Sequence, residues 1–513
     1  MNIQNANKRI AKNTLLLYVR MLFMMAVSLY TSRVILNTLG VQDYGINNVV
    51  GGIVIMFSVL SGSLSTSISR FITFELGKGN EERLKRVFSI GVNIQVGMSL
   101  LVVILAEAIG VWFLNAKMNI PIDRFDAANW VFQCSIITFV LNLLSVPYNA
   151  AIIAHENMSA FAYIGILEVT LKLVIVFMVL ISPFDYLKTY AVLLMCVGLV
   201  VRLVYGLYCK RHFPECVYRF VLDKSMLKEM TGFAGWNLLG HGAYMLNTQG
   251  VNILMNIYFG VAINAARGVA TQVDAALKQF VINFTTAVNP QITKSYAQGD
   301  FDYMHTLVCR SSKFSAFLMI FFAVPIILET DMILAIWLGT VPDCAVVFLR
   351  WIIVSSFVDT VLANSLVTSM FATGKIKRYQ IIVTLVGGLV FPLTWMAFKL
   401  GFQPQSGYVI YFITYSVLLF VRLYLLKDMV KLPIMLYVKN VLCKVIPVMA
   451  VAFVIPGLLT MTMSEGWIRL ILVALVSVVV TVFVEYAIGL STSEKNFIKG
   501  RVSGVVRKFI KKS

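Results

Sequence analysis

Residues 467–490 read WIRLILVALVSVVVTVFVEYAIGL, a mostly apolar run whose only charged residues are Arg469 and Glu485. A helix needs about 20 mostly apolar residues to cross the hydrocarbon of a bilayer, and this run is long enough. The same pattern recurs upstream. Fourteen segments qualify in all: 13–36, 45–68, 87–114, 127–150, 161–181, 186–208, 232–259, 265–290, 314–338, 344–371, 379–398, 407–426, 441–463 and 467–490. The seventh and eighth are the most polar. The strict alternation of a membrane barrel is absent. Composition agrees: 59% of the 513 residues are hydrophobic and 13% charged, about half the charged share of a soluble domain. The expectation is an all-α integral membrane protein with about 14 transmembrane helices.

The charge is lopsided, with 43 Lys and Arg against 24 Asp and Glu. In a soluble chain this would suggest nucleic acid. Here the loops explain it. With the amino terminus in the cytoplasm, the inside segments, among them those holding Arg70, Arg310, Lys313 and Arg422, carry thirty Lys and Arg; the outside loops carry five. The positive-inside rule then puts both termini in the cytoplasm, and no nucleic-acid partner is expected. Trp112, Trp130, Trp337, Trp395 and Trp467 fall near outer helix ends, as an interfacial belt requires. The first span has no small-residue cleavage site after it and reads as an uncleaved anchor. Seven Cys and four His show no metal-ligand spacing, so neither a metal nor another cofactor is expected.

The chain also repeats itself. Leu39-Gly40-Val41 after the first span and Phe259-Gly260-Val261 after the seventh are offset by 220 residues, as are Gly79-Asn80 and Gly299-Asp300. The chain divides into 1–210 with spans one to six, 211–426 with spans seven to twelve, an appended pair over 427–490, and a tail over 491–513. Two six-span lobes of like topology are a transporter architecture, with substrate held between the repeats. In the tail, Ile498, Val502, Val505 and Phe509 alternate with basic residues at helical spacing. That pattern predicts a helix lying on the anionic cytoplasmic surface of the membrane.

Ionised side chains inside a bilayer usually face a wet cavity or each other. Span eight carries Arg267, Thr271, Asp274 and Lys278, all within about 60° of arc at 100° per residue. Span seven carries Asn237, His241, Tyr244 and Thr248 at the same spacing; span two carries Asn47 and Asn48; span one carries Arg20 and Arg33. These four helices are the equivalent hairpins of the two halves, so their stripes predict one hydrated cavity. Each residue also has a plainer reading. Arg33 fits a side chain snorkelling to the surface, Asp274 and Lys278 at i, i+4 fit mutual neutralisation, and His241 fits a structural hydrogen bond. Glu168 and Lys172 look like an internal pair. Asp359, Glu107 and Asp274 are candidates for ion coupling. Four cations against one carboxylate make the predicted cavity positive, and the low dielectric strengthens that field. Arginine forks match phosphate oxygens, so the expected ligand is an anion carrying a phosphate or pyrophosphate.

Asn37-Thr-Leu-Gly-Val-Gln-Asp-Tyr-Gly45, followed in the second half by Ala287-Val-Asn-Pro290 and Gly299-Asp300, resembles the corresponding places in O-unit flippases. These form the polysaccharide transporter branch of the superfamily that also holds the multidrug and toxin extruders (MATE) and the lipid II flippase. The resemblance implies two six-helix lobes around a V-shaped cavity, two extra carboxyl-terminal helices and alternating access. It implies a polyprenyl-pyrophosphate-linked oligosaccharide as cargo: an O-antigen, capsule or exopolysaccharide repeat unit crossing a bacterial inner membrane. A polysaccharide polymerase and a chain-length regulator are the implied protein partners. It also implies Arg in spans one and eight, matched by Arg20 or Arg33 and Arg267. Relatives with a further Arg in span two find no counterpart in 45–68. The competing readings are a cation-coupled drug antiporter of the same fold, which needs an acidic cavity, and a membrane polymerase or sugar transferase, which needs a large catalytic loop. No GxxxxGK[ST] motif occurs, so ATP hydrolysis by this chain is not expected.

Overall fold

The computed structural model describes residues 13–27, 30–31, 34–35, 38–39, 43, 46–47, 58–112, 122–221, 223–259, 261–338 and 341–496. Arg33, Asn48, Gly40-Val41, Gly260 and the predicted surface helix beyond residue 496 lie outside them. The described residues are overwhelmingly helical and include no strand. In chain order the helices are α1 (Asn13–Val27), α2 (Ser58–Lys78), α3 (Glu81–Ala108), α4 (Phe125–Ala154), α5 (Met158–Leu180), α6 (Tyr186–His212), α7 (Lys224–Met245) and α8 (Val251–Phe259). They continue with α9 (Val261–Ala297), α10 (Phe301–Leu328), α11 (Thr330–Leu338), α12 (Ala345–Ala372), α13 (Lys377–Lys399), α14 (Ser406–Val430), α15 (Ile434–Thr462) and α16 (Trp467–Gly489).

Ten of the described helices are long and apolar enough to cross a membrane: α3 to α6, α10, and α12 to α16. The chain is thus a multi-pass integral membrane protein. Of the helices outside that set, α1, α2, α7, α8 and α9 belong to the first, second, seventh and eighth sequence segments, the ones that carry the polar stripes, and α11 is the end of the ninth. All five Trp expected at the interface are 44–63% exposed.

Contacts group the chain into two compact units. One comprises Met1–Gly242, Thr286–Asp300 and Phe371–Ile381; the other comprises Ala243–Thr285, Phe301–Met370 and Ile382–Ser513. In the first, α4 is central and packs on α6, α2 and α3. Its Ala128, Val131 and Phe132 close against Ala106 of α3 and Leu187 and Ala191 of α6. Small residues let these helices approach. Ser67, fully buried on α2, donates to the Met230 carbonyl at 2.8 Å. The left-handed turn between α4 and α5 holds Glu156 at φ +58° with its side chain fully buried. Its carboxylate accepts Lys294 Nζ at 2.8 Å and Gln291 Nε2 at 2.5 Å, and its carbonyl accepts Asn13 Nδ2 at 3.1 Å.

In the second unit, α15 and α16 pack on each other and on α10. A buried fork ties them down. Arg469 donates through Nε and Nη2 to the two carboxylate oxygens of Glu329 at 2.9 and 3.0 Å, joining the start of α16 to the end of α10. Removing one partner of such a pair costs about 3–5 kcal/mol, because the other charge stays buried alone. Arg469→Ala is therefore expected to lower the unfolding temperature in detergent sharply. The double change Arg469→Met, Glu329→Leu is expected to recover most of the loss. Equal unfolding temperatures for Arg469→Ala and the native chain would show that the fork contributes nothing.

The start of the tail is anchored too. Glu494 accepts Lys313 Nζ of α10 at 2.6 Å and caps the Ser491 N–H at 2.8 Å. Burial pushes the Glu494 carboxyl up, but its bonds from Lys313 and Ser491 outweigh that and hold it below its ordinary value of 4.5. A carboxyl depressed in the folded state stabilises above its unfolded pKa and loses that contribution as pH falls through the folded one. The protection of amides 491–496 relative to their intrinsic exchange rates is thus expected to fall on acidification below about pH 4.5. Glu494→Gln should exchange fast at every pH; a mutant protected like the native chain would refute the anchor.

Candidate functional site

The second unit contains a cavity of about 460 Å³ between α9, α12, α14 and the junction of α7 with α8. At that junction the chain makes a π-helical turn, Leu246–Gly250. A second π turn, Phe357–Leu362, interrupts α12. Single π turns inside α-helices cluster at functional sites, since the extra residue redirects side chains. The first turn brings Asn247 and Thr248 to the cavity region; the second carries Asp359.

All four residues of the span-eight stripe line this cavity, because α9 runs unbroken from Val261 to Ala297. Asp274 and Lys278 pair at 2.7 Å and are largely buried. Their charges cancel, as i, i+4 spacing allows. Arg267 has no carboxylate partner among the described residues. Its Nη2 donates to the Thr248 carbonyl at 2.9 Å, its Nη1 lies 3.5 Å from the Met255 sulfur, and its guanidinium carbon sits 5.5 Å from the centre of the Tyr408 ring. The cavity therefore holds one uncompensated cation, oriented by neutral groups. Asp359 stands behind the wall: Tyr411, which lines the cavity, donates to it at 2.9 Å, and Arg422 Nη1 lies 4.0 Å away.

The first unit has its own cavity, of about 340 Å³, among α4, α5, α6 and Asn47. Glu168 and Lys172 line it as an ion pair at 2.6 Å. Arg20 lies near by on α1 without lining it. Its guanidinium stacks 4.1 Å from the Phe161 ring centre against Gly165, and its buried Nε has no hydrogen-bond partner. A side chain at position 165 would collide with that guanidinium, so the glycine admits the arginine.

Other predicted residues stand elsewhere. Asn237 is buried and accepts Gln380 Nε2 at 3.2 Å, outside both cavities. His241 is exposed and lines neither cavity. Glu107 is exposed on the π turn Ala106–Gly110, also away from both.

Two arginines assigned to cytoplasmic loops by the sequence are helical and buried. Arg70 belongs to α2, which runs on past the predicted second span to Lys78. It donates to the Phe371 and Ala372 carbonyls at 3.2 and 3.0 Å and stacks on Phe71 and Phe74. Those bonds cap the carboxyl end of α12 and leave it no free fork for a ligand. Arg422 lies within α14 beside Asp359. α2 continues past the apolar stretch 45–68 that hydropathy detects, whereas Arg422 falls inside the stretch 407–426.

No known protein-family profile matches the chain. An uncharacterized membrane protein EpsK from Bacillus subtilis (strain 168) is 21% identical over 318 residues, 61% of this chain; the match spans only 62% of that relative's length. Among solved structures, an outward-facing multidrug resistance MATE transporter of the MOP superfamily superposes with TM-score 0.70 at 12% identity, covering 82% of this chain and 96% of its own. A MATE protein in a bent conformation gives 0.71 at 12% identity over 83% and 96%. A MOP-superfamily transporter from Pyrococcus furiosus, described by the reverse polarity of its binding pocket, gives 0.67 at 12% identity over 82% and 96%. The chain has the fold of these MATE and MOP-superfamily transporters.

Proposed function

We propose that the protein is a flippase that moves a polyprenyl-pyrophosphate-linked oligosaccharide, such as an O-antigen, capsule or exopolysaccharide repeat unit, across a bacterial inner membrane by alternating access. The observation that carries this reading is Arg267: a guanidinium in a cavity whose lining carboxylate, Asp274, is already paired with Lys278. Such a site attracts an anion and repels an organic cation. The fork geometry suits phosphate oxygens, and the prenyl tail would remain in lipid. The reading includes fourteen spans, both termini in the cytoplasm, and lobes divided as the repeat divides them. It involves no bond breaking. An inside-negative membrane potential drives an anion outward by about 2.3 kcal/mol per charge per 100 mV, and Asp274 and Asp359 are the carboxylates placed to add ion coupling. The Pyrococcus transporter, whose reversed pocket polarity suggested a different function for that protein, supports reasoning from cavity sign.

The second reading, a cation-coupled drug antiporter, is favoured by the multidrug transporter with the same fold and by the Asp274 and Asp359 carboxylates. Proteoliposomes separate the two. A fluorescent lipid-linked oligosaccharide is expected to become accessible to quencher from the opposite leaflet. Ethidium in the same vesicles is expected to move at the rate of empty liposomes. Ethidium transport without lipid transport would establish the antiporter instead.

A further inference from the structure

The cavity of the first unit differs in kind from that around Arg267. Its lining includes Thr138, Phe139 and Asn142 at the middle of α4, and Glu168 and Lys172 at the middle of α5, two helices long and apolar enough to cross a membrane. The Asn142 carboxamide is exposed and has no hydrogen-bond partner among the described residues; the same holds for the partnering of Asn47. An unpaired carboxamide facing hydrocarbon would be costly, so these groups require water or a polar ligand. The Glu168–Lys172 pair is a third to nearly half exposed, which also demands a wet neighbour.

The pair cancels its own charge, so the lining is neutral overall. It offers donors in Lys172 and the two carboxamides, and acceptors in Glu168, Thr138 and the carboxamide oxygens. Phe139 adds an apolar ring. Hydroxyl groups are both donors and acceptors, and a sugar ring has an apolar face besides. Its volume, about 340 Å³, is within the range of small-molecule pockets, roughly 300–1,000 Å³. An anion would find the Glu168 carboxylate opposed to it.

We propose that this cavity binds carbohydrate, and that it receives the uncharged sugar portion of the cargo. The carbohydrate assignment rests on the lining alone; its role in transport rests on the flippase reading above. The residues that determine which sugar is accepted are Asn142, Glu168 and Lys172, with Thr138 and Asn47 beside them.

Saturation-transfer NMR on the full chain in nanodiscs tests this with the methyl glycosides of glucose, galactose and N-acetylglucosamine. Transfer to at least one glycoside is expected, undisturbed by added inorganic pyrophosphate. Asn142→Leu and Glu168→Gln are each expected to reduce it at least fivefold, about 1 kcal/mol, while Asn142→Gln restores part of it. If Asn142→Leu does not fold, Glu168→Gln carries the comparison. No transfer from the native protein, or native-level transfer from either folded variant, overturns the proposal. Failure of pyrophosphate to bind while glycosides still do would count against the cargo headgroup and leave this cavity's assignment intact.

Discussion

Glu156→Ala is expected to destabilise the protein by about 3–5 kcal/mol, the scale set by stranding one member of a buried ion pair. Lys294, only 16% exposed, would lose the carboxylate 2.8 Å from its ammonium, and Gln291 and its neighbours would lose an acceptor. Three variants separate charge from backbone strain. Glu156→Gln keeps the shape and an acceptor but removes the carboxylate charge 2.8 Å from the Lys294 ammonium, so most of the loss should remain. Glu156→Gly relieves the left-handed φ of +58°, worth roughly 1 kcal/mol, and should sit slightly above Glu156→Ala. The pair Glu156→Gln, Lys294→Met should recover stability towards the native value. Thermal unfolding in detergent reads all of these; a Glu156→Ala protein that unfolds with the native chain would exclude the knot as a fastening.

Arg267→Ala is expected to slow lipid-linked oligosaccharide translocation about 10- to 100-fold, since hydrogen bonds to a charged group are worth about 1.5–3 kcal/mol. Arg267→Lys should fall between the two, because an ammonium keeps the charge but not the fork. Folding should survive both changes: the Arg267 partners in the protein are a carbonyl, a sulfur and a ring, and no carboxylate would be stranded. Lys278→Ala has the opposite character. It would leave Asp274 charged and buried at 5% exposure, turn the cavity less positive and cost stability as well. A translocation rate unchanged by Arg267→Ala would remove that residue from the mechanism.

How far the sequence could be read depended on whether the helix stayed regular. The ten apolar helices are plain in hydropathy because each contains an 18-residue apolar stretch with at most two charged residues. The span-eight stripe was legible because α9 keeps one period throughout its length. The span-seven stripe was only half legible. Asn237, His241 and Tyr244 share one regular helix that ends at Met245, but the cavity meets only its last residues and the π turn Leu246–Gly250 after it, so Asn237 and His241 fall outside the cavity that Tyr244 and Thr248 line. No local pattern announces such a turn. The partners of buried charges were beyond reach for a different reason. Arg70 meets the carbonyls of residues some 301 and 302 positions away, and Asp359 meets Tyr411 across 52; periodicity along one helix carries no information about such pairs. Glu168 and Lys172, one turn apart, were visible.

The sign of the charge that the Arg267 cavity accepts is tested most directly by equilibrium binding to the purified protein in nanodiscs. Inorganic pyrophosphate and tetraphenylphosphonium serve as probes of equal simplicity and opposite charge. Saturable pyrophosphate binding that weakens with added salt and is lost in Arg267→Ala is the predicted result. Saturable tetraphenylphosphonium binding that depends on Asp274, with none for pyrophosphate, would contradict it.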